Sequence, residues 1–264
     1  MISIVIRNKN EAEYLERTLY IVTKLYTNDF DEVVLVDNYS TDNSVAIANS
    51  YNCKVVLIKD FTYGKALNLG ISHAKNELIL LLSSHAVPIG SGFFKNAITV
   101  FATNKNCAGV RFINSIKNHE RAIANNFEVL DPLNHGLMAA CCMISKNVWE
   151  DHKFDENLTF SEDKEWSKRL VENGFKIMDS NETFFYDIDR SQASLLNRYK
   201  NETLSYYMLN NDKKFPNSGK LILSFLYKIG FVNTKNYLKK AAYDFKIVGI
   251  NFKIKAILKK KNNE

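Results

Sequence analysis

The sequence predicts an α/β protein: a mostly parallel sheet covered by helices on both faces. Three observations carry this reading. Leu78-Ile79-Leu80-Leu81-Leu82 is an unbroken aliphatic run, the pattern of a strand buried on both sides. Apolar runs at 2–6, 32–36 and 54–58 precede it, and stretches of helical periodicity fill the gaps between them. Each run gives way to polar residues, and the central one ends in Ser83-Ser84-His85-Ala86-Val87-Pro88. In open sheets of this kind ligands bind beyond the carboxyl ends of the strands, so these loops are where chemistry is expected.

Taken in order, 2–6 is the first strand, and Arg7-Asn8-Lys9-Asn10 is a polar break before a helix over 11–25 with Leu15, Leu19, Val22 and Leu25 on one face. A second strand at 32–36 ends in the polar loop 37–44. A helix over 44–51, a strand at 54–58 and a helix over 64–74 lead to the central strand. Right-handed crossovers between parallel strands follow from this alternation. Beyond Pro88 the pattern gives a helix near 92–103, a strand at 107–112, a polar stretch at 113–135 with no assignable element, and a strand-like run at 137–145. A short helix at 146–150 comes next. A strong helix opened by the segment 154–163 then runs to 173, with Gly174 as its C′ residue. Short strands at 176–178 and 183–186 precede a helical remainder.

At 264 residues and 46% hydrophobic content the chain holds one large domain with an appendage, expected as 1–205 and 206–264. Cys53, Cys107, Cys141 and Cys142 form no C-x-x-C pair, which suits a reducing compartment. The start Met1-Ile2-Ser3-Ile4-Val5 reads as a strand and not as a signal peptide, and no run approaches the ~20 apolar residues of a spanning helix. A cytoplasmic protein, peripheral at the inner face of the membrane, is expected. Residues 213–264 hold 13 lysines against Asp244 and Glu264, a charge of +11; set against +6 for the whole chain, this leaves −5 for the first 212 residues.

Four motifs in order resemble the family 2 glycosyltransferases, whose fold is GT-A. Ile2-Ser3-Ile4-Val5-Ile6 with Asn10-Glu11-Ala12-Glu13-Tyr14-Leu15 is similar to the family's first strand and helix. Val34-Leu35-Val36-Asp37-Asn38-Tyr39-Ser40-Thr41-Asp42 resembles its aspartate loop, with Tyr39 where glycine is usual. Gly64-Lys65-Ala66-Leu67-Asn68-Leu69-Gly70 resembles its third helix, and Phe160-Ser161-Glu162-Asp163-Lys164-Glu165-Trp166 its Glu-Asp helix. The resemblance covers roughly residues 1–190. It implies a nucleotide-sugar donor, UDP- or dTDP-linked, contacted by Arg7, Lys9, Glu11, Asp37, Lys65, Asn68, Ser83, Ser84 and His85. Asp37 suits the base or ribose because a carboxylate accepts from N–H and hydroxyl groups, or else it is an Asx-turn residue. Arg7, Lys9 and Lys65 bring the positive charge that a diphosphate needs.

The central loop departs from the family's pattern. Asp-x-Asp is usual there, with carboxylates holding Mg²⁺ or Mn²⁺ against the diphosphate. Ser83-Ser84-His85 supplies no charged ligand; His85 suits Mn²⁺ better than Mg²⁺, and a metal-independent enzyme is equally consistent. The variant loop is similar to a rhamnosyltransferase-like subgroup.

For catalysis the resemblance points to Asp163 as the base of an inverting transfer, with Glu162 orienting a neighbour or the acceptor. Ser161 as N-cap would set both acids in the first helical turn, where the helix dipole favours the ionised form. Trp166 is read either as an acceptor-stacking wall or as core packing. The expected role is synthesis of cell-surface polysaccharide or glycolipid. The alternative is a non-catalytic nucleotide-sugar-binding or scaffold subunit that has lost its metal site. A nucleotidyltransferase fits less well, because Arg7-Asn8-Lys9-Asn10 lacks glycine. The basic, apolar C-terminal region reads as helices that pack on the body or lie on an anionic membrane, and nucleic acid is not an expected partner.

Overall fold

Seven strands make the main sheet of the chain, whose computed structural model describes residues 1–210 and 212–261, with side chains through 255. The strands are β1 (Ile2–Asn8), β2 (Glu32–Asp37), β3 (Lys54–Leu57), β4 (Leu78–Ser83), β5 (Ala86–Ile89), β6 (Cys107–Phe112), β7 (Cys141–Ser145), β8 (Lys176–Ser180) and β9 (Thr183–Tyr186). The main sheet has the order β3-β2-β1-β4-β7-β6-β8, and β5 and β9 form a separate antiparallel pair. Only β7 runs against its neighbours in the main sheet, antiparallel to both β4 and β6. A GT-A-like α/β fold results, as the sequence predicts.

The helices of this part are α1 (Ala12–Leu25), α2 (Ser44–Ser50), α3 (Tyr63–His73), α4 (Phe93–Thr103), α5 (Ile116–Ala124), α6 (Pro132–His135), α7 (Lys146–Asp151), α8 (Glu162–Glu172) and α9 (Gln192–Leu209). The central run is buried on both faces. Leu80 and Leu82 join Leu15 and Leu19 of α1 and Phe93 and Phe94 of α4 in one core. Ile79 and Leu81 join Leu67 and Ile71 of α3 and Trp166 and Leu170 of α8 in the other. Period-2 alternation along one strand thus serves two helical layers. Gly64 is fixed by close approach: a Cβ there would sit 2.2 Å from the carbonyl oxygen of Asp155, so only glycine lets α3 meet that turn. All four cysteines are free and buried, and burial pushes the Cys53 and Cys107 thiols up to about 12.

Three sequence expectations change. The stretch 113–135 holds α5 and α6, which bury only Ala122 between them, so no run of core residues marks them. Pro88 lies within a strand, because β5 pairs with β9 alone in its two-stranded sheet, where a missing N–H is tolerated. The strand expected over 137–145 is regular only from Cys141.

The chain divides into two units, Met1–Asn211 and Asp212–Glu264. The expected division at 205/206 falls inside α9, all of which belongs to the first. The second unit contains α10 (Ser218–Tyr227), a wide π turn at Lys228–Asn233 and α11 (Thr234–Lys261). At about 100° per residue, Lys235, Lys239, Lys246 and Lys253 fall near one line of α11, with apolar ridges about 90° to either side. Leu238, Phe245 and Phe252 form one ridge, and Tyr243, Ile250 and Ile254 the other; all six are exposed. The helix therefore has two apolar sides where a single stripe is expected.

Candidate active site

A cavity of about 940 Å³ opens beyond the carboxyl ends of β1 and β4. Its walls come from β1, the β4–β5 turn, residues 136–140, the start of α8, the segment after β9, and α9. Position and size suit a small-molecule ligand.

Its floor is a closed circuit of bonds. Arg7 donates to Glu162 Oε1 at 3.3 Å and to the Ala139 carbonyl at 3.1 Å, while the Ala139 N–H donates to Asp163 Oδ2 at 2.8 Å. Asp163 Oδ1 accepts from the Lys164 N–H at 2.8 Å. The carboxylate is thereby held still, with its remaining lone pairs available in the cavity. Burial first, and the Asp163 charge second, push the Glu162 carboxyl up to about 7 against the pull of Arg7. Two adjacent acids therefore differ in environment. Ser161 precedes them, but it is no conventional cap: its φ is +64° and its side chain makes no capping bond. The left-handed turn costs on the order of 1–3 kcal/mol and sets the direction in which α8 begins.

On the opposite side, His85 is buried, its Nε2 3.4 Å from Glu11 Oε1 and its ring edge-on to Tyr14. Burial first, then Arg190 and Arg17, hold His85 down at about 4, so at neutral pH it is a neutral imidazole beside a carboxylate, not an ion pair. Burial and then Asp42 raise the Glu11 carboxyl. His85 Nδ1 is buried with no hydrogen-bond partner. Ser83 Oγ accepts weakly from the His85 N–H at 3.4 Å, and the Ser84 carbonyl accepts from Thr18 Oγ1 at 2.8 Å. Lys9 lines the cavity rim and donates to the carbonyls of Asn38 and Tyr39. Among the described residues no three His, Cys, Asp or Glu side chains gather as a metal site. At the β4–β5 turn the available donors are the Ser83 hydroxyl and the His85 imidazole, a set that suits Mn²⁺ better than Mg²⁺.

Four expected site residues do not line the cavity. Asp37 is fully buried: Oδ1 accepts from the Ser40 N–H at 2.7 Å, and Oδ2 from Ser40 Oγ at 2.6 Å and Asn8 Nδ2 at 2.9 Å. It braces its own turn, in which Tyr39 takes a φ of +50° at the place where the resembled motif has glycine. Asn68 is pinned on both ends of its amide, accepting from Trp149 Nε1 and the Phe154 N–H and donating to the Phe154 carbonyl and Glu156. Lys65 lies in the first turn of α3, where Thr62 Oγ1 caps its backbone N–H. Trp166 is fully buried, stacked on Phe154 with 5.1 Å between ring centroids, and its indole N–H donates to the His152 carbonyl. It is core packing and not an acceptor wall.

Other residues complete the cavity. Tyr63 stands under the Arg7 guanidinium at 5.0 Å and edge-on to Phe160 at 5.8 Å, making an aromatic wall. Arg190 and Arg198 reach in from the segment after β9 and from α9. Phe160 opens the Glu-Asp motif, whereas no local spacing in the sequence marks Tyr63, Arg190 or Arg198. Arg111 is different: a lone charge in the otherwise apolar run 107–112 is a visible signal.

A model of the family described as "Glycosyl transferase family 2" matches residues 3–151. Both acids at the start of α8 lie past that segment. Among solved structures, a mannosyltransferase from Pyrobaculum calidifontis in complex with GDP-Man and Mn²⁺ is similar with a TM-score of 0.62 and 15% identity, over 82% of this chain and 65% of the other. The chain thus spans less than two thirds of that protein. Glucosyl-3-phosphoglycerate synthase from Mycobacterium tuberculosis, in complex with UDP, is similar with a TM-score of 0.61 and 16% identity, over 83% and 82% of the two chains. TarS residues 1–349 from S. aureus gives a TM-score of 0.54 and 19% identity over 70% and 59%. No curated protein matches the sequence.

Proposed function

Because the chain belongs to glycosyl transferase family 2 and is a glycosyltransferase, we propose that it moves a sugar from a UDP- or dTDP-linked donor to a saccharide hydroxyl with inversion. The observation that carries this reading is the Asp163 carboxylate, fixed by two backbone N–H groups and facing the cavity at the strand ends. In the transfer the acceptor oxygen attacks the anomeric carbon while the bond from that carbon to the diphosphate oxygen breaks. The electron pair leaves with the nucleoside diphosphate, and the acceptor's proton passes to Asp163. Arg7 and Tyr63 shape the floor, and Arg190 and Arg198 supply positive charge toward which a diphosphate is drawn. Solved relatives in complex with GDP-Man and with UDP support a nucleoside-diphosphate leaving group. Incubation with UDP- and dTDP-sugars and a panel of saccharides, followed by assay of released nucleoside diphosphate, tests the reading. Binding of nucleotide with no turnover on any acceptor would replace it with the non-catalytic subunit.

The second unit supports a place for this reaction. It carries 13 lysines together with exposed Leu221, Ile222, Leu223, Phe225 and Leu226 on α10 and the two ridges of α11. No described helix is long and apolar enough to cross a membrane. Lysines beside exposed apolar side chains suit an anionic membrane surface, each lysine near it contributing on the order of 1 kcal/mol. The acceptor would then be lipid-linked or membrane-associated, in cell-surface polysaccharide or glycolipid synthesis at the cytoplasmic face. Flotation with vesicles should show binding that rises with anionic lipid, falls with salt and disappears when residues 213–264 are deleted. Full-length protein that stays soluble at low salt would leave the unit a structural appendage.

A further inference from the structure

Arg111 on β6 and Asp179 on β8 are paired neighbours in the sheet, and both are buried. Asp179 Oδ1 accepts from Arg111 Nη1 at 3.2 Å and from Arg121 Nη2, on α5, at 2.7 Å. Two guanidinium groups thus share one carboxylate, which leaves a surplus positive charge below the surface. Four buried polar atoms of this cluster have no hydrogen-bond partner: Arg111 Nε, Arg121 Nε and Nη1, and Asp179 Oδ2. Unmade bonds of this kind destabilise the fold, and a buried surplus charge costs more still unless it is compensated. The Arg111 side chain is only 5% exposed, yet it lines the cavity. The surplus is felt around it: burial and then Arg121 and Arg111 hold the His135 imidazole below its usual range. Asp163 favours the charged form of Arg111 but makes no bond to it among the described contacts.

We propose that Arg111 binds an anionic group, a phosphate or a carboxylate, on the acceptor saccharide, with Arg121 as a positioning residue that holds Asp179 and so fixes the Arg111 fork. The proposal rests on the glycosyl-transfer reading of this cavity and names its acceptor class. An acidic group on Arg111 would bring a hydroxyl of the same acceptor toward Asp163. A planar guanidinium recognises an oxyanion through two charge-assisted bonds, which are stronger than those it makes to neutral sugar hydroxyls.

Melting temperatures of the full chain, measured with sugar phosphates, with uronic acids and with their neutral parent sugars, test it; UDP and dTDP serve as the donor-side control. A sugar phosphate or a uronic acid should raise the melting temperature at concentrations where its neutral parent does not, and which of the two does so identifies the anion. Arg111→Gln should weaken that binding by about tenfold or more, the effect of a lost charged hydrogen bond, while the nucleotide shift is kept. Arg121→Gln should weaken it less, and Arg121→Lys should restore it in part. Equal shifts with charged and neutral sugars, or an anionic-sugar shift that survives Arg111→Gln, would overturn the proposal. The comparison on unsubstituted protein decides even if Arg111→Gln fails to fold. Loss of the nucleotide shift alone would count against the donor reading and not against this one.

Discussion

The Arg7 guanidinium and the Glu162 carboxylate, 155 residues apart in the sequence, meet at 3.3 Å in the cavity floor. Both side chains are nearly enclosed, at 13% and 6% exposed, so each relies on the other to offset its charge. Arg7→Met should therefore destabilise the protein by about 3 kcal/mol at pH 8, the cost of orphaning a buried charge. At pH 6 the loss should be smaller, because Glu162, already raised to about 7, then takes a proton. Urea unfolding at the two pH values checks this, and an equal loss at both would remove the coupling.

Asp163→Asn keeps the shape of the side chain but not its basicity. Transfer should fall by ~10²-fold or more, with the nucleotide-induced melting shift unchanged. Activity close to that of the unsubstituted enzyme would take Asp163 out of the mechanism.

His85 and Glu162 tilt the pH dependence of stability in opposite directions. Folded His85, held at about 4 against an ordinary 6.5, binds fewer protons than the unfolded chain between those values, so stability rises with pH there. Folded Glu162, raised from 4.5 to about 7, binds more, so stability falls with pH across its window. From 4.5 to 6.5 the two slopes cancel. His85→Gln should unmask a stability that falls by up to ~1.4 kcal/mol per pH unit relative to the parent, and Glu162→Gln the opposite slope. Parallel profiles for parent and variants would show that neither group is shifted.

Asn68→Ala should act on the fold and not on the nucleotide. It leaves the Trp149 indole N–H and the Phe154 N–H unpaired in the core, at about 1–3 kcal/mol each. A lowered melting point with the same relative shift on adding nucleotide is expected. Selective loss of nucleotide affinity would return Asn68 to the donor site.

With a neutral hydroxyl at Ser83 and an imidazole at His85, turnover should survive excess EDTA at least in part, or prefer Mn²⁺ to Mg²⁺. Complete loss restored only by Mg²⁺ would direct the search for ligands to Asp187 and Asp189.

The strands were legible because burial on two faces writes itself as unbroken apolar runs, and Gly174, with a φ of +82°, closes α8 as its position suggests. The segment 113–135 was not, since its helices bury almost nothing. Site residues divide along a similar line. Arg7, Glu11 and the Glu162–Asp163 pair sit where motif order places them, at strand ends and a helix start. Trp166 and Asn68 belong to the same motifs but face the core, and a sequence does not distinguish a buried polar pin from a ligand contact. Tyr63, Phe160 and the Arg190–Arg198 stretch converge from three distant segments, which only the folded chain brings together.

Because β7 runs against β4, the chain enters it at the cavity end, where the Ser83 N–H donates to the Ala140 carbonyl at 2.8 Å. The excursion that leaves β6 and returns at Ala140 is therefore moored to the sheet at both ends, while α5 and α6 between them bury a single alanine. Doubling the length of such a tether costs only about 0.6 kcal/mol in closure entropy. The middle of the excursion is pinned as well, because the Asp179 N–H donates to the Phe127 carbonyl and the Val129 N–H to the Ile177 carbonyl, so changes of length are cheapest on either side of that anchor.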